Sequence, residues 1–264
     1  MADEEQKRKS TYSAPALEKG FDVFEMLAQF PDGLTISEIA ARLGRSINEL
    51  FRLIIVMERR GYLRKDQADR YSVAFKLLDV AFRATPVGNL THVASPVMYE
   101  LAHAARQSCH LVVAGEGFGL VVAREENPGS TGFGVRLGAR IDLVASCSGK
   151  VLIAFTPEHR LKAILPHDEH GAPIAIDPLA ADLAAIRQNG FVRRHSPMTY
   201  GVIDICHPVF GFDGRIAAAL TIPFLERIDG SHPVAIEEAQ RRAAEAAARI
   251  SAGLGWNGRS SGAA

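Results

Sequence analysis

The chain has 264 residues, of which 47% are hydrophobic and 23% charged, and its 30 basic residues balance 30 acidic ones. This length and composition indicate a globular protein of one or two domains with enough apolar residues to form a core. The zero net charge excludes a uniformly basic nucleic-acid coat and an acidic solvating tail, but it leaves room for a local charged patch.

Three helices are predicted near the start of the chain. Apolar residues recur at helical spacing over 17–30 and stop at a Pro-Asp-Gly sequence. Two capping boxes follow: Thr35-Ile-Ser-Glu38 opens a short helix, and Ser46-Ile-Asn-Glu49 opens a longer one. Gly44 lies in the turn between them, where a glycine is typical of a helix end. The sequence therefore predicts a helix, a turn and a second capped helix.

Two short strands are predicted next, at 62–64 and 71–73, around a polar turn. Helices, turn and hairpin in this order are typical of a winged helix-turn-helix domain. We place this domain at residues 13–75, after a flexible tail at 1–12. A generic small helical domain is the alternative that the pattern leaves open.

The local charge favours DNA binding. Between Arg42 and Arg70, eight basic residues stand against four acidic ones, whereas residues 1–75 as a whole balance at twelve against twelve. The excess lies on the second capped helix and the wing, where a DNA backbone would lie. A solvated mixed-charge face remains the alternative for Arg59 and Arg60, because cations also suit the C-terminal end of a helix.

The rest of the chain predicts a linker and a second domain. An amphipathic stretch at 76–88 is predicted to be a linker helix, 89–256 an effector-binding domain and 257–264 a flexible tail. The strands predicted in the second domain lie at 111–114, 120–123, 135–143, 202–210 and 215–222. Helices interleaved with hairpins indicate an α+β fold with a mainly antiparallel sheet.

Neither the cysteines nor the apolar stretches indicate a secreted or membrane protein. Cys109, Cys147 and Cys206 are an odd number without a CxxC pair, which argues against a disulfide framework and a cysteine-rich zinc site. Charged residues run through the first ten positions, and the longest apolar stretches fall far short of the about 20 residues of a membrane span. We therefore expect a cytoplasmic protein that does not attach to a membrane.

Motifs for catalysis and cofactors fail on inspection. Gly149-Lys150 lacks the flanking glycine and hydroxyl residue of a phosphate loop, since valines stand at 144 and 151. The polar segment 167–170 has two histidines without zinc-protease spacing, and a solvated loop explains it better. A nucleophile at 146–148 has no nucleophile elbow or SxxK pair. We expect no enzyme activity, no metal and no cofactor.

The segment Ser146-Cys-Ser-Gly-Lys150 suggests a binding role instead. Small polar residues before an apolar helical run leave backbone N–H groups and the positive helix end available to an anion. A plain N-cap by Ser146 or Ser148 explains either serine as well. A lowered thiol pKa at Cys147 would allow redox sensing.

An ordered series of short motifs runs through about residues 13–255. It comprises Leu17-Glu-Lys-Gly-Phe-Asp-Val-Phe-Glu, Leu34-Thr-Ile-Ser-Glu-Ile-Ala, Phe51-Arg-Leu, Glu58-Arg-Arg-Gly-Tyr with Tyr71, Gly138-Ala-Arg-Ile-Asp-Leu, Ser148-Gly-Lys-Val-Leu-Ile-Ala, Gly190-Phe, Gly201-Val-Ile-Asp-Ile-Cys-His-Pro-Val-Phe and Ala217-Ala-Ala-Leu-Thr. In this series the chain resembles the IclR (isocitrate lyase regulator) family of bacterial transcription factors. The resemblance implies a winged helix-turn-helix domain, a linker helix and a GAF-like effector-binding domain. It also implies a homodimer, or a dimer of dimers, on a roughly palindromic operator of double-stranded DNA, with a small organic acid as effector.

The DNA contacts are expected from the second capped helix and the wing. They are assigned to Arg45, Ser46, Asn48, Arg52, Arg64 and Lys65. Asn48 and Arg52 share a helix face and are assigned to base edges or nearby phosphates, and the other four to the DNA backbone. Glu49 stands where the family often has threonine, which leaves the base preference open.

The effector pocket is expected around the start of the helix near residue 148. Its predicted residues are Val144, Ser146, Cys147, Ser148, Gly149, Asp204, Cys206, Thr221 and Ile222. A carboxylate would be bound at the backbone N–H groups of this helix end, and Asp204 and His207 add ionisable groups. The sequence thus predicts an effector-responsive transcriptional regulator. The alternative is a small-molecule or redox-sensing module that acts through protein contacts.

Overall fold

The computed structural model describes residues 14–84, 87–168 and 172–258. The tail predicted at 1–12 and most of the tail predicted at 257–264 lie outside the described residues. The chain divides into two compact units, one ending at residue 85 and the other beginning at residue 86. This division falls inside the segment predicted to be a linker helix.

The N-terminal unit is a winged helix-turn-helix domain, as predicted. Its elements are α1 (Pro15–Leu27), β1 (Leu34–Thr35), α2 (Ile36–Leu43), α3 (Ile47–Arg59), β2 (Leu63–Lys65), β3 (Arg70–Val73) and α4 (Phe75–Ala84). The three strands form an antiparallel sheet in the order β1-β3-β2. Its core gathers buried side chains from α1, α2 and α3, among them Val23, Ile39 and Ile54.

Local hydrogen bonds set the starts of α2 and α3. At α2 the capping box is complete, since the Thr35 N–H donates to Glu38 Oε2 at 2.7 Å and the Glu38 N–H donates to Thr35 Oγ1 at 3.3 Å. At α3 the Glu49 N–H donates to Ser46 Oγ at 3.3 Å, but the Glu49 carboxylate turns to Lys19 Nζ at 2.5 Å. The second capping box predicted from the sequence is therefore only half formed.

The C-terminal unit is an α+β domain built on one antiparallel sheet, as predicted. Its elements are α5 (Val87–Ala105), β4 (Cys109–Ala114), β5 (Gly119–Glu125), β6 (Arg140–Ile141), α6 (Cys147–Phe155), α7 (Glu158–Ile164), a 3₁₀ turn (Asp177–Leu179), α8 (Ala180–Asn189), β7 (Val192–His195), β8 (Val202–Phe210), β9 (Ile216–Leu225) and α9 (Ile236–Gly253). The strand order is β6-β5-β4-β9-β8-β7.

Helices cover both faces of this sheet. One face packs against α5 and α9, and its buried cluster includes Leu220 and Ile222 of β9. The other face packs against α6 and α8, and its buried cluster includes Ala219 of β9 and Cys206 of β8. Because successive strand residues point to opposite faces, neighbours in β8 and β9 are divided between the two sides.

Two strand predictions differ from the structure. The strand predicted at 135–143 is reduced to β6 (Arg140–Ile141), because a turn closed by the Ala139 N–H on Arg136 O, with Gly138 at a φ of 77°, interrupts the stretch just before it. The edge strand β7 was not predicted from the sequence. It reads Val-Arg-Arg-His and buries only Val192, so it carries no alternation of apolar and polar residues.

Two glycine substitutions should move stability in opposite directions. A Cβ on Gly149 would lie 2.3 Å from Leu143 Cα, whereas a Cβ on Gly20 would meet only Leu53 Cδ1 at 3.7 Å. Gly149→Ala should therefore destabilise the C-terminal unit by about 1–3 kcal/mol through overpacking. Gly20→Ala, inside α1, should stabilise the N-terminal unit by roughly 0.5–1 kcal/mol. Urea unfolding followed by circular dichroism measures both, and an unchanged midpoint for Gly149→Ala would contradict the close approach.

Candidate functional site

Helix α3 presents one open face in the N-terminal unit. It buries Leu50, Ile54 and Met57 against the core, and Asn48 and Arg52 lie exposed on the opposite side. The structure thus brings the two predicted base-contacting residues together on one accessible face.

Arg45 and Ser46 hold α3 in place rather than joining that face. Arg45 Nη2 lies 3.1 Å from Asp22 Oδ2 of α1, and its Nη1 lies 3.4 Å from Glu49 Oε1. Hydrogen bonding from Lys19, also of α1, is the main cause of the lowered pKa of Glu49. These ion pairs join α1 to the start of α3, in addition to the packing of the two helices in the buried core.

The wing carries the other two predicted DNA contacts. Arg64 Nε donates to Ser72 Oγ at 2.9 Å across the hairpin, and Lys65 Nζ lies 2.6 Å from Asp69 Oδ1. The bond to Asp69 is the main cause of the raised pKa of Lys65. Both cations are exposed, which suits contact with a phosphate backbone.

A buried polar cluster lies in the C-terminal unit, on the face of the sheet that α6 covers. We define the polar cluster as His110, Cys147, Ser148, Asp204, Cys206 and Thr221. His110, Thr221 and Cys206 are paired across β4, β9 and β8. The hydroxyls of Ser148 and Thr221 are 3.0 Å apart, and Thr221 Oγ1 donates to Cys206 Sγ at 3.2 Å.

The ionisable groups of the polar cluster are held neutral or shifted towards neutrality. Burial raises the pKa of the Cys147 thiol to about 12, and it raises the pKa of Cys206 further. Burial also raises the pKa of Asp204, against hydrogen bonds from Ser196 and Cys147 that lower it. A buried thiol is a poor nucleophile. The structure therefore disfavours redox sensing at Cys147.

His110 belongs to the polar cluster and was not predicted from the sequence. Its side chain is 4% exposed, and Nδ1 has no hydrogen-bond partner among the described residues. Burial lowers the pKa of His110 to about 4, so the ring is neutral at pH 7. An unpaired buried polar atom costs about 1–3 kcal/mol, and a bound ligand would relieve that cost. A single histidine in an apolar strand carries no sequence signal of this role.

A group of three charged residues also went unpredicted. Asp182 of α8 accepts from Lys150 Nζ and from Arg194 Nη1, both at 2.9 Å. The hydrogen bond from Arg194 is the main cause of a pKa of about 2 for Asp182. Arg194 lies opposite Asp204 in the pairing of β7 with β8, so this group borders the polar cluster.

Four predicted effector residues lie outside the polar cluster. Ser146 is the N-cap of α6 and accepts from the Gly149 N–H at 2.9 Å, while Gly149 packs on the backbone of Leu143. Val144 is half-buried in the turn before α6. Ile222 points to the opposite face, into the core under α5 and α9. The structure does not bring these four to the cluster, because three serve the turn and the helix start and one faces away.

His207 also lies on the other face of the sheet. It neighbours Cys206 in β8, stacks on Phe191 with ring centroids 5.2 Å apart, and pairs in register with Leu220. His207, which was expected beside the effector pocket, therefore lies on the side of the sheet that packs against α5 and α9.

Metal and membrane features can be stated for the described part of the chain. No group of three or more His, Cys, Asp or Glu there could hold a metal ion. Residues 169 and 170 of the predicted polar loop lie outside the described residues. None of the described helices has the length and apolar character to cross a membrane.

The architecture places the protein among the helix-turn-helix DNA-binding proteins. The family profile described as "IclR helix-turn-helix domain" matches residues 16–67, and the one described as "Bacterial transcriptional regulator IclR C-terminal" matches residues 82–251. The chain therefore belongs to the IclR family of transcriptional regulators, with a DNA-binding domain followed by an effector domain. This confirms the family indicated by the sequence motifs.

Several known proteins resemble the chain over most of its length. HTH-type transcriptional regulator KipR of Bacillus subtilis (strain 168) is 23% identical over 198 residues, which are 73% of this chain and 79% of KipR. HTH-type transcriptional regulator BhcR of Paracoccus denitrificans (strain Pd 1222) is 26% identical over 216 residues, 78% of this chain and 76% of BhcR. Both relatives are transcriptional regulators.

Solved structures show the same fold. Pseudomonas aeruginosa HmgR superposes with a TM-score of 0.71 at 24% identity, covering 92% of this chain and 100% of HmgR. An IclR homolog from Microbacterium hydrocarbonoxydans, complexed with 4-hydroxybenzoate, also gives 0.71 at 24% identity, covering 90% of this chain and 98% of that one.

The buried His110 should make the protein acid-sensitive. Its pKa is lowered from 6.5 to about 4 in the fold. As pH falls from about 6.5 to about 4, the unfolded chain therefore takes up a proton that the folded chain cannot, and stability is lost over that window. His110→Gln should flatten the dependence of unfolding free energy on pH by up to about 1.4 kcal/mol per pH unit. The exposed His159 provides a control, His159→Gln, and equal slopes in both variants would contradict the assignment.

Proposed function

We propose that the protein is an effector-responsive bacterial transcriptional regulator. It binds a roughly palindromic operator as a dimer or a dimer of dimers, and a small organic acid controls it. The observation that carries the effector site is the buried polar cluster, in which His110 Nδ1 has no hydrogen-bond partner within the described part of the chain. A site with convergent polar groups and shifted pKa values in a ligand-binding domain is the best candidate for ligand recognition.

The DNA contacts divide between base edges and backbone. Asn48 and Arg52 contact base edges or nearby phosphates from the exposed face of α3. Arg64 and Lys65 contact the DNA backbone from the wing, and Ser46 contacts it from the start of α3. Arg45 contacts the DNA backbone as well, while its guanidinium stays paired with Asp22 of α1.

The effector site centres on the polar cluster. The neutral ring of His110 and the hydroxyls of Ser148 and Thr221 supply neutral hydrogen-bonding groups, and the start of α6 supplies the positive end of a helix. The raised pKa of Asp204 lets it share a proton with an acid ligand. The relative from Microbacterium hydrocarbonoxydans was solved with 4-hydroxybenzoate, itself a small organic acid.

Control requires a difference in effector affinity between two forms of the protein. An effector shifts the equilibrium only as far as it binds the DNA-competent and DNA-incompetent forms unequally. The affinity of the polar cluster for the effector must therefore differ between the DNA-competent and the DNA-incompetent form.

Substitution of Arg52 tests the DNA contact. Arg52→Ala should weaken binding to the operator by about 1–3 kcal/mol and relax sequence preference at one position, as expected for loss of a base contact. Arg64→Ala should weaken binding to all sequences alike. It should also reduce the slope of log affinity against log salt concentration by about 1, as expected for loss of one phosphate contact. The operator is first selected from random duplexes, and affinities are measured by fluorescence anisotropy. Undiminished operator affinity of Arg52→Ala would refute the assignment.

Substitution of Thr221 tests the effector site. We expect a panel of 4-hydroxybenzoate and short mono- and dicarboxylates to contain a compound that raises Tm and changes operator affinity. Thr221→Val keeps the side-chain shape but removes the hydroxyl that bonds Ser148 and Cys206. This variant should weaken binding of that compound by about 1.5–3 kcal/mol, which is the contribution of a hydrogen bond to a charged group.

A matched control lies outside the polar cluster. Thr156 Oγ1 donates to Leu152 O at 2.7 Å at the end of α6, so Thr156→Val also loses one hydrogen bond. It should leave carboxylate affinity unchanged. Equal losses in the two variants, or a panel without any effect on the wild type, would count against the proposed site.

A further inference from the structure

Helix α3 exposes large apolar side chains beside the face that the proposed function turns towards DNA. Ile47, Phe51 and Ile55 recur every four residues and are 44%, 51% and 38% exposed. We call these three residues the apolar stripe. None of them packs in the buried core described for the N-terminal unit. Exposed apolar surface of this kind marks an interaction site.

The apolar stripe lies beside the predicted polar contacts. Asn48 and Arg52 follow Ile47 and Phe51 by one residue each, about 100° further round the helix. The apolar stripe therefore runs along one flank of this polar pair, with Ile47 nearest the buried face and Ile55 nearest Asn48 and Arg52. Phe51 lies between them, beside the face that carries Arg52.

Glu49 does not compete for the same surface. Its carboxylate is held by Lys19 Nζ at 2.5 Å and by Arg45 Nη1 at 3.4 Å, on the side of α3 that faces α1. It is therefore engaged in ion pairs inside the N-terminal unit. Asn48, Arg52 and the apolar stripe are then the candidates for the selectivity of α3.

Charge indicates which partner covers the apolar stripe. The exposed arginines Arg52 and Arg59 lie on the same helix, and the wing of the same unit carries the exposed Arg64. A second copy of the chain would bring these like charges together, which is costly, whereas the phosphates of DNA neutralise them. The apolar group that the major groove offers is the C5 methyl of thymine. The surroundings thus favour the major groove over a second copy of the chain.

We propose that the apolar stripe contacts thymine methyl groups and so selects thymine in each half-site of the operator. Phe51 lies at the centre of the apolar stripe, with Ile47 and Ile55 on either side. This inference rests on the proposed function, since it requires α3 to bind the major groove.

Replacement of thymine by deoxyuridine tests the proposal, because it removes only the methyl group. The operator selected from random duplexes is resynthesised with deoxyuridine at each thymine in turn. Wild-type affinity should fall about fourfold for each contacted methyl, the factor expected for burial of one such group. Phe51→Ala and Ile55→Ala should bind the thymine and deoxyuridine duplexes more nearly alike. Circular dichroism checks that both variants are folded.

Phe21→Ala is the matched control. Phe21 is 54% exposed, close to the exposure of Phe51, but it lies on α1 rather than on α3, so this variant should keep the full preference for thymine. A selected operator without any effect of deoxyuridine would overturn the inference and leave the proposed function intact. Failure to select any sequence would overturn both. If Phe51→Ala changes the sedimenting mass while the thymine preference stays, the apolar stripe binds a second copy and the inference is wrong.

Discussion

The alternation of side chains along the central strands of the C-terminal unit is the constraint on which its candidate site depends. On β9, Leu220 and Ile222 pack under α5 and α9, while Thr221 between them points to the face under α6. The pairing of β4, β9 and β8 then places His110, Thr221 and Cys206 in one row. A shift of one residue in this register would send the row into the apolar core on the other side.

The two units depart from the usual distribution of polar and apolar residues in opposite ways. The C-terminal unit buries hydroxyls, thiols and a histidine nitrogen that has no partner among residues 14–84, 87–168 and 172–258, although buried polar atoms are costly without partners. The N-terminal unit leaves Phe51 and Ile55 in water, although burial would stabilise them. Such local departures are expected where a protein binds a partner, because the partner completes the contacts that the fold leaves open.

Much of the fold could be predicted from local patterns. The cap at Thr35, the turn at Gly44 and the hairpin between β4 and β5 each depend on residues close together in sequence. The edge strand β7 could not be found in this way, because its charged residues lack a period and its pairing with β8 is a long-range contact. The segment 135–143 was predicted as a strand from its residues, yet it pairs with β5 only briefly.

The sequence by itself determined the family, the winged helix-turn-helix order and the α+β character of the second unit, since these follow from motifs and spacing. Tertiary structure alone decided which site residues meet. It joined Ser148 to Thr221 across 73 positions, added His110, and turned Ile222 away. It also engaged Arg45 and Glu49 with α1 and left the apolar stripe exposed. The reason is physical: contacts between distant residues depend on strand register and helix packing, which short stretches of sequence do not encode.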